Sequence, residues 1–224
     1  MTFSLLVRDP ETGQLGGAAA TGSLCVGGWV LRGDVRRGLS ASQGTAPSTL
    51  WGEDVLCLMA DGISAPDAVA QIVAADPGRA HRQLAALDPS GRSAAFTGAE
   101  TIPKAGALQT DDAVAAGNML ASDRVLSDLL EGYSTAAGPL PDRLFAALRA
   151  AAQDGGDWRG LRSAALLVLG PTHPPLTLRI DRDDRPLDAL AALLAEATTG
   201  SYARWSERLP TRAAPHRAGP FDPT

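Results

Sequence analysis

Strand-length apolar runs in this chain come in neighbouring pairs, joined by turns too short to carry the chain across a sheet. Residues 3–8 (FSLLVR) and 15–21 (LGGAAAT) flank the turn-forming DPETGQ, and residues 82–87 and 93–97 flank Asp88-Pro89-Ser90-Gly91. A third pair, 163–169 (SAALLVL) and 176–180 (LTLRI), is joined through Pro171, Pro174 and Pro175. Parallel neighbours need a crossover of about a dozen residues or more, so these pairs predict antiparallel hairpins. Residues 24–31, 35–42 and 113–117 are further strand candidates.

Helical segments lie between the hairpins. Ser48 predicts a capped helix over 49–60. Ser64, with Pro66 and Asp67 in the first turn, predicts a second, ended by Asp76-Pro77-Gly78. Others are predicted over 122–131, 141–153 and 186–197. Antiparallel sheets collect their helices on the outside, so the fold class is α+β. Two antiparallel sheets packed together and flanked by helices, a four-layer αββα sandwich, account for this order economically. The 224 residues suffice for one such domain, placed at 1–200. Four prolines from Leu209 onward mark 201–224 as a Pro-rich, loosely ordered tail.

With only 4% aromatic residues, the core must be built from Ala, Leu and Val. A net charge of −5 argues against a nucleic-acid partner, which needs a basic surface. No apolar run approaches the roughly 20 residues that cross a bilayer. Arg8 and Asp9 arrive too early for a signal peptide. The expectation is a cytoplasmic protein without membrane or nucleic-acid partners. Cys25 and Cys57 stand in no metal-ligand spacing with His81, His173 or His216, so no metal is expected, and the nucleophile chemistry considered below needs no organic cofactor. Lys104 is the only lysine, and any mechanism that needs one must use it.

Phosphate-binding loops, dinucleotide fingerprints, HExxH and GxSxG are all absent from the sequence. Thr2 is the informative position. Methionine aminopeptidases remove Met1 when the second side chain is small. A terminal threonine then carries a hydroxyl nucleophile and an amine base on one residue. Many chains have a small second residue for no catalytic reason, but here Thr2 leads directly into a strand.

Several separated segments carry a family likeness: TFSLLVRDPETGQLG at 2–16, DPGRAHRQL at 76–84, GNML at 117–120, GGDWRGLRSAALLVL at 155–169 and LRID at 178–181. Through them the chain resembles, over about 2–195, the bacterial domain of unknown function 1028, assigned to the N-terminal nucleophile (Ntn) hydrolase superfamily. The resemblance implies an Ntn-hydrolase-like αββα sandwich with the mature N-terminal residue as nucleophile between the sheets. Family members often carry a lysine after the second strand, in a segment like SKFLAVG. Here TGSLCVG puts Gly22 in that place. Without it, hydroxyls, amides or an arginine must tune the Thr2 amine.

Other residues are weighed on that frame. The Gly44 N–H, after Gln43 and before a helix, suits an oxyanion, or else belongs to an ordinary strand-to-helix loop. The Asn118 amide suits an oxyanion or substrate, or else stabilises a turn. Ser163 opens a strand after a glycine-rich loop, where its hydroxyl could bond the threonine amine. In that loop Asp157 could hold Arg162 in a bidentate pair, more plainly as loop structure. His81, beside Arg79 and Arg82, suggests a base and an anion site, although such a connection is more often structural.

The leading functional expectation is a hydrolase of a small amide or related carbonyl compound. Thr2, Ser163 and Asn118 form its catalytic group, with Gln43, Gly44, His81, Arg79, Arg162 and Asp157 as oxyanion or substrate-binding candidates. The rivals are a non-catalytic binding or scaffold protein that keeps the sandwich, and an enzyme centred on His81. A homodimer is compatible with the apolar helices.

Overall fold

Asp9 closes the first turn with its own carboxylate: Oδ1 accepts from the Glu11 N–H at 3.0 Å and Oδ2 from the Thr12 hydroxyl at 2.9 Å. Strands β1 (Thr2–Arg8) and β2 (Leu15–Thr21) leave this turn in antiparallel register, from Arg8↔Leu15 to Phe3↔Ala20. The computed structural model describes residues 2–219, and four more hairpins follow in it. They are β3 (Leu31–Asp34) with β4 (Gly38–Gly44), β5 (Arg82–Leu87) with β6 (Ser93–Thr97), β7 (Gly106–Thr110) with β8 (Ala113–Asn118), and β9 (Ser163–Leu169) with β10 (Leu176–Ile180). Two wholly antiparallel sheets result, ordered β10-β9-β2-β1-β8-β7 and β3-β4-β5-β6.

Period-two alternation sorts these strands into three cores. Phe3, Leu5 and Val7 of β1 face outward, packing with Leu129 of α4 (Val125–Thr135), Leu144 and Leu148 of α5 (Leu140–Gln153) and Leu190 of α6 (Pro186–Thr198). Leu6 of the same strand faces inward, with Leu15, Ala19, Leu39, Ala41, Ala85, Leu87 and Val114 between the sheets. On the far side Leu84 and Ala86 of β5 meet Trp51, Val55 and Met59 of α2 (Thr49–Ala60) and Val69 of α3 (Ala65–Ala75). The layers are therefore helix, sheet, sheet, helix. The expected four-layer αββα sandwich is the observed fold.

The helix starts follow the sequence. Ser48 and Ser64 cap α2 and α3, accepting from the N–H of Trp51 and of Asp67, each at 3.3 Å. Other boundaries differ. The strand expected over 24–31 is instead the one-turn helix α1 (Val26–Trp29), followed by β3. Cys25 has a left-handed φ of 59°, and the Val26 N–H bonds the Ser163 hydroxyl at 3.1 Å rather than a strand neighbour. The strand expected from 35 begins at Gly38, because the Arg37 N–H folds back on the Asp34 carbonyl at 3.0 Å. Edge strand β7 was not anticipated; its half-exposed GALQT has little apolar alternation.

Helix α7 (Gly200–Ser206) follows α6. Beyond it the Ala213 N–H bonds the Pro171 carbonyl at 2.7 Å, and Arg212 pairs with Asp34 at 3.1 Å. Residues 220–224 of the expected tail, and Met1, lie outside the described residues. Among the described residues no helix is long and apolar enough to cross a membrane.

Asp88 ties the β5–β6 turn to α3. Its buried carboxylate accepts from the Ala65 N–H at 3.3 Å, the Ser90 N–H at 2.9 Å and the Arg92 Nε at 2.8 Å. Burial raises the carboxyl pKa, but the Ser90 hydroxyl, the Ala65 and Ser90 N–H groups and Arg92 outweigh it, holding it below the ordinary 3.8. Because the folded-state value is the lower one, this stabilisation is complete above pH 3.8 and is lost as pH falls through the folded value. Asp88→Ala is expected to cost about 2 kcal/mol in urea unfolding at pH 7. The difference from the parent protein should shrink in acid.

Candidate functional site

The inward face of the six-stranded sheet turns polar at one end. Alternation that puts Leu6 in the inter-sheet core puts Ser4 and Thr2 on the same face. Thr2 is 8% exposed, and its hydroxyl bonds that of Thr21 across the β1–β2 pair at 3.2 Å. On its other side Thr2 is the register partner of Asn118 on β8, and Thr21 is that of Ser163 on β9.

The opposing sheet contributes two glutamines. Gln43 and Gln83 are register partners on β4 and β5, both buried, on the inward face that carries Ala41 and Ala85. Gln83 crosses the gap between the sheets. Its Nε2 donates to the carbonyls of Gly106 at 3.0 Å and Gly117 at 2.9 Å, and contacts the Thr97 hydroxyl at 2.8 Å. Carbonyls only accept, so this end of the amide must be the NH2. Its Oε1 then accepts from Gln43 Nε2 at 2.7 Å and Asn118 Nδ2 at 3.2 Å. With its NH2 turned to Gln83, Gln43 leaves its own Oε1 buried and without a partner.

A cavity of about 420 Å³ opens beside this cluster, lined on its polar side by Thr2, Thr21, Ser23, Gln43 and Thr45. Gly44 also lines it. At φ +128°, a Cβ there would lie 2.7 Å from the His81 carbonyl, so position 44 requires glycine. Leu24, Trp29, Ile102 and Met119 supply apolar wall. Met119 holds a left-handed φ of 53°, and its N–H bonds the Ile102 carbonyl at 3.2 Å. Lys104 is not part of the lining; its Nζ bonds the Ala121 carbonyl at 2.9 Å.

The loop before β9 closes one side. Asp157 is fully buried and accepts from the Gly22 N–H, and also from the Arg159 N–H at 2.9 Å. Its ion-pair partner is Arg159 at 3.2 Å, not Arg162 as expected. Arg162 is exposed and is held through its backbone, N–H to the Thr21 carbonyl at 2.8 Å. The loop also explains Gly22. A Cβ there would lie 2.5 Å from the Gly160 carbonyl and 2.7 Å from Asp157 Oδ1. In this chain the Asp157 loop occupies the space that a side chain at position 22 would need. The Ser163 hydroxyl is engaged with the Val26 N–H at 3.1 Å and the Ser23 carbonyl at 2.9 Å.

The structure thus brings Thr2, Gln43 and Gly44 to one cavity, with Asn118 joined through Gln83, and with Asp157 and Ser163 one layer behind. It does not bring Arg79 or His81 there. Both are exposed on a short 3-10 turn after α3. Arg82 is committed to Asp76 at 2.8 Å, the Ala46 carbonyl at 2.8 Å and the face of Trp51. Gln83, Thr21 and Trp29 were missed. The signal for Gln83 was a glutamine at an inward position of a strand, RQLAAL, whose other inward residues are Ala85 and Leu87. A larger groove, about 780 Å³, lies beyond the far end of β1 around Arg143, His173 and Trp205, and no sequence-predicted residue lines it. Among the described residues no cluster of His, Cys, Asp and Glu could hold a metal.

A family model described as a family of unknown function (DUF1028) matches residues 2–190. The crystal structure of protein SPO2555 from Silicibacter pomeroyi, assigned to the same family, is 51% identical. It covers 97% of this chain and 98% of that one, with a TM-score of 0.93. Anbu (ancestral beta-subunit) from Yersinia bercovieri has a TM-score of 0.40 at 12% identity, over 90% of this chain and 97% of that one. No curated protein matches the sequence.

Replacing Gln83 by Leu would strand two backbone carbonyls and the amides of Gln43 and Asn118. A loss of about 3 kcal/mol or more in urea unfolding is expected, well above the cost of a solvent-exposed Gln→Leu change.

Proposed function

This chain belongs to the family of unknown function DUF1028, and we propose that Thr2 makes it a hydrolase of a small amide or related carbonyl compound, of the Ntn type. The observation that carries the reading is the position of the Thr2 side chain, on the inter-sheet face at the end of a central strand and lining a cavity of about 420 Å³. Cavities of this size suit small ligands.

The reading requires Met1 to be removed, so that Thr2 has a free α-amine. The Thr2 Oγ then attacks the substrate carbonyl while its proton passes to the α-amine, whose ordinary pKa is about 7.7–8.0. A C–O bond forms and the carbonyl oxygen takes the charge. Asn118 stands opposite Thr2 in the ladder, and one hydrogen of its Nδ2 remains beyond that given to Gln83, so it suits the oxyanion. The Gly44 N–H is the second candidate. Collapse breaks the C–N bond, and the leaving nitrogen takes the proton back from the α-ammonium. Water then gives a proton to the same amine and its oxygen to the ester, releasing the acid and restoring the threonine hydroxyl. No step calls on a metal or organic cofactor.

Intact mass of the protein made in bacteria is expected to lack one methionine residue. Retention of Met1 would leave no base and would favour the non-catalytic scaffold. Against a panel of small amides, Thr2→Ala is expected to lower turnover by about a thousandfold or more. The parent rate should rise with pH as the amine loses its proton near 7.7–8.0. A Thr2→Ala protein with unchanged activity would move the chemistry elsewhere in the molecule.

A further inference from the structure

We infer that the cavity beside Thr2 selects an uncharged carboxamide that bears one apolar group and at least one N–H. As a statement about substrate this rests on the hydrolase reading; as a statement about binding it rests on the cavity alone.

Charge is the first argument. Among the described residues Arg159 is the only ionisable side chain in the lining, and it is already paired with the buried carboxylate of Asp157 at 3.2 Å and bonded to the Ser23 hydroxyl at 3.2 Å. An anionic ligand would have to compete with Asp157 for that guanidinium. A cationic one would meet no carboxylate in the lining. A cationic ligand would lose hydration without a countercharge in return, and so would an anionic one once the α-amine of the mature chain is neutral, above a pH of about 8.

The apolar wall is the second. Leu24 is 50% exposed, Trp29 54% and Ile102 39%, and all three gather at this one cavity beside the buried Val26 and the half-buried Met119. Large apolar side chains left open together at the mouth of a polar pocket offer a seat for an aryl or alkyl group.

Gln43 is the third. The carbonyls of Gly106 and Gly117 fix the Gln83 amide, which in turn fixes the Gln43 amide, so Gln43 Oε1 is an acceptor with no donor. Gln43 lines the cavity, so a ligand N–H seated against it can supply the donor that Oε1 lacks once the amide shifts to uncover that oxygen, and a ligand without an N–H cannot.

Calorimetry on the Thr2→Ala protein at a pH of about 9, where turnover is removed and the α-amine is neutral, separates these terms. Phenylacetamide is expected to bind at least tenfold more tightly than phenylacetate, acetamide or N,N-dimethylphenylacetamide. Trp29→Ala, at an exposed position, should weaken phenylacetamide several-fold and leave acetamide unchanged. Gln43→Met should abolish the preference for the primary over the dimethylated amide. Phenylacetate binding as well as phenylacetamide, no effect of Trp29→Ala, or no binding of phenylacetamide at millimolar concentration would each overturn the inference. The two readings fail differently. Binding of phenylacetamide without cleavage by the Met1-free parent removes the hydrolase and keeps the selectivity. Faster cleavage of charged or wholly polar amides keeps the hydrolase and removes the selectivity.

Discussion

Two sheets can stack only if everything buried between them is apolar or hydrogen-bonded, and at one end of this molecule the seam is polar. Gln83 makes that end tenable. It belongs to the four-stranded sheet, yet its amide reaches the Gly106 and Gly117 carbonyls of the six-stranded sheet and gathers Gln43 and Asn118 behind it. A buried polar network is stabilising when its members are paired and costly when they are not. All but one of the contacts around Gln83 are met, and the exception, Gln43 Oε1, lies in a residue that lines the cavity. Thr2 is positioned by the same arrangement, since its strand is held between β2 and β8 and its ladder partner is Asn118.

Much of the fold was legible because local signals agreed with the tertiary outcome. Ser48 and Ser64 mark helix starts by chemistry that needs no distant partner, and Asp9 and Asp88 fold turns with their own carboxylates. Alternation in FSLLVR assigns Phe3 and Leu6 to different cores from the strand alone. Local reading failed where a distant group decided the conformation. Val26 reads as strand until the Ser163 hydroxyl, 137 residues away, takes its N–H. The β7 edge has so few apolar positions that only its pairing with β8 defines it.

The site was legible in part for the same reason. Thr2, Gln43 and Asn118 sit at strand ends that the sequence places, and the sandwich brings those ends together. The partner of Asp157 was misassigned because Arg159 and Arg162 share one loop, and only the loop's path, with the Arg162 N–H bonded to the Thr21 carbonyl, decides which guanidinium turns inward. Gly22 looked like a lost catalytic group. In space it is a close approach, where backbone from the Asp157 loop leaves no room for a side chain. A lysine at that position and this loop conformation exclude each other.

Lys104 has a consequence unrelated to proton transfer. It supplies the sole ε-amine of the chain, is exposed, and is anchored through Nζ to the Ala121 carbonyl on the segment that also carries the cavity residues Ile102 and Met119. Acylating reagents that seek lysine therefore have a single side-chain address, next to the cavity mouth. With the more acidic α-amine blocked first, a fluorophore or spin label attached there would report on that rim without any cysteine being engineered or removed.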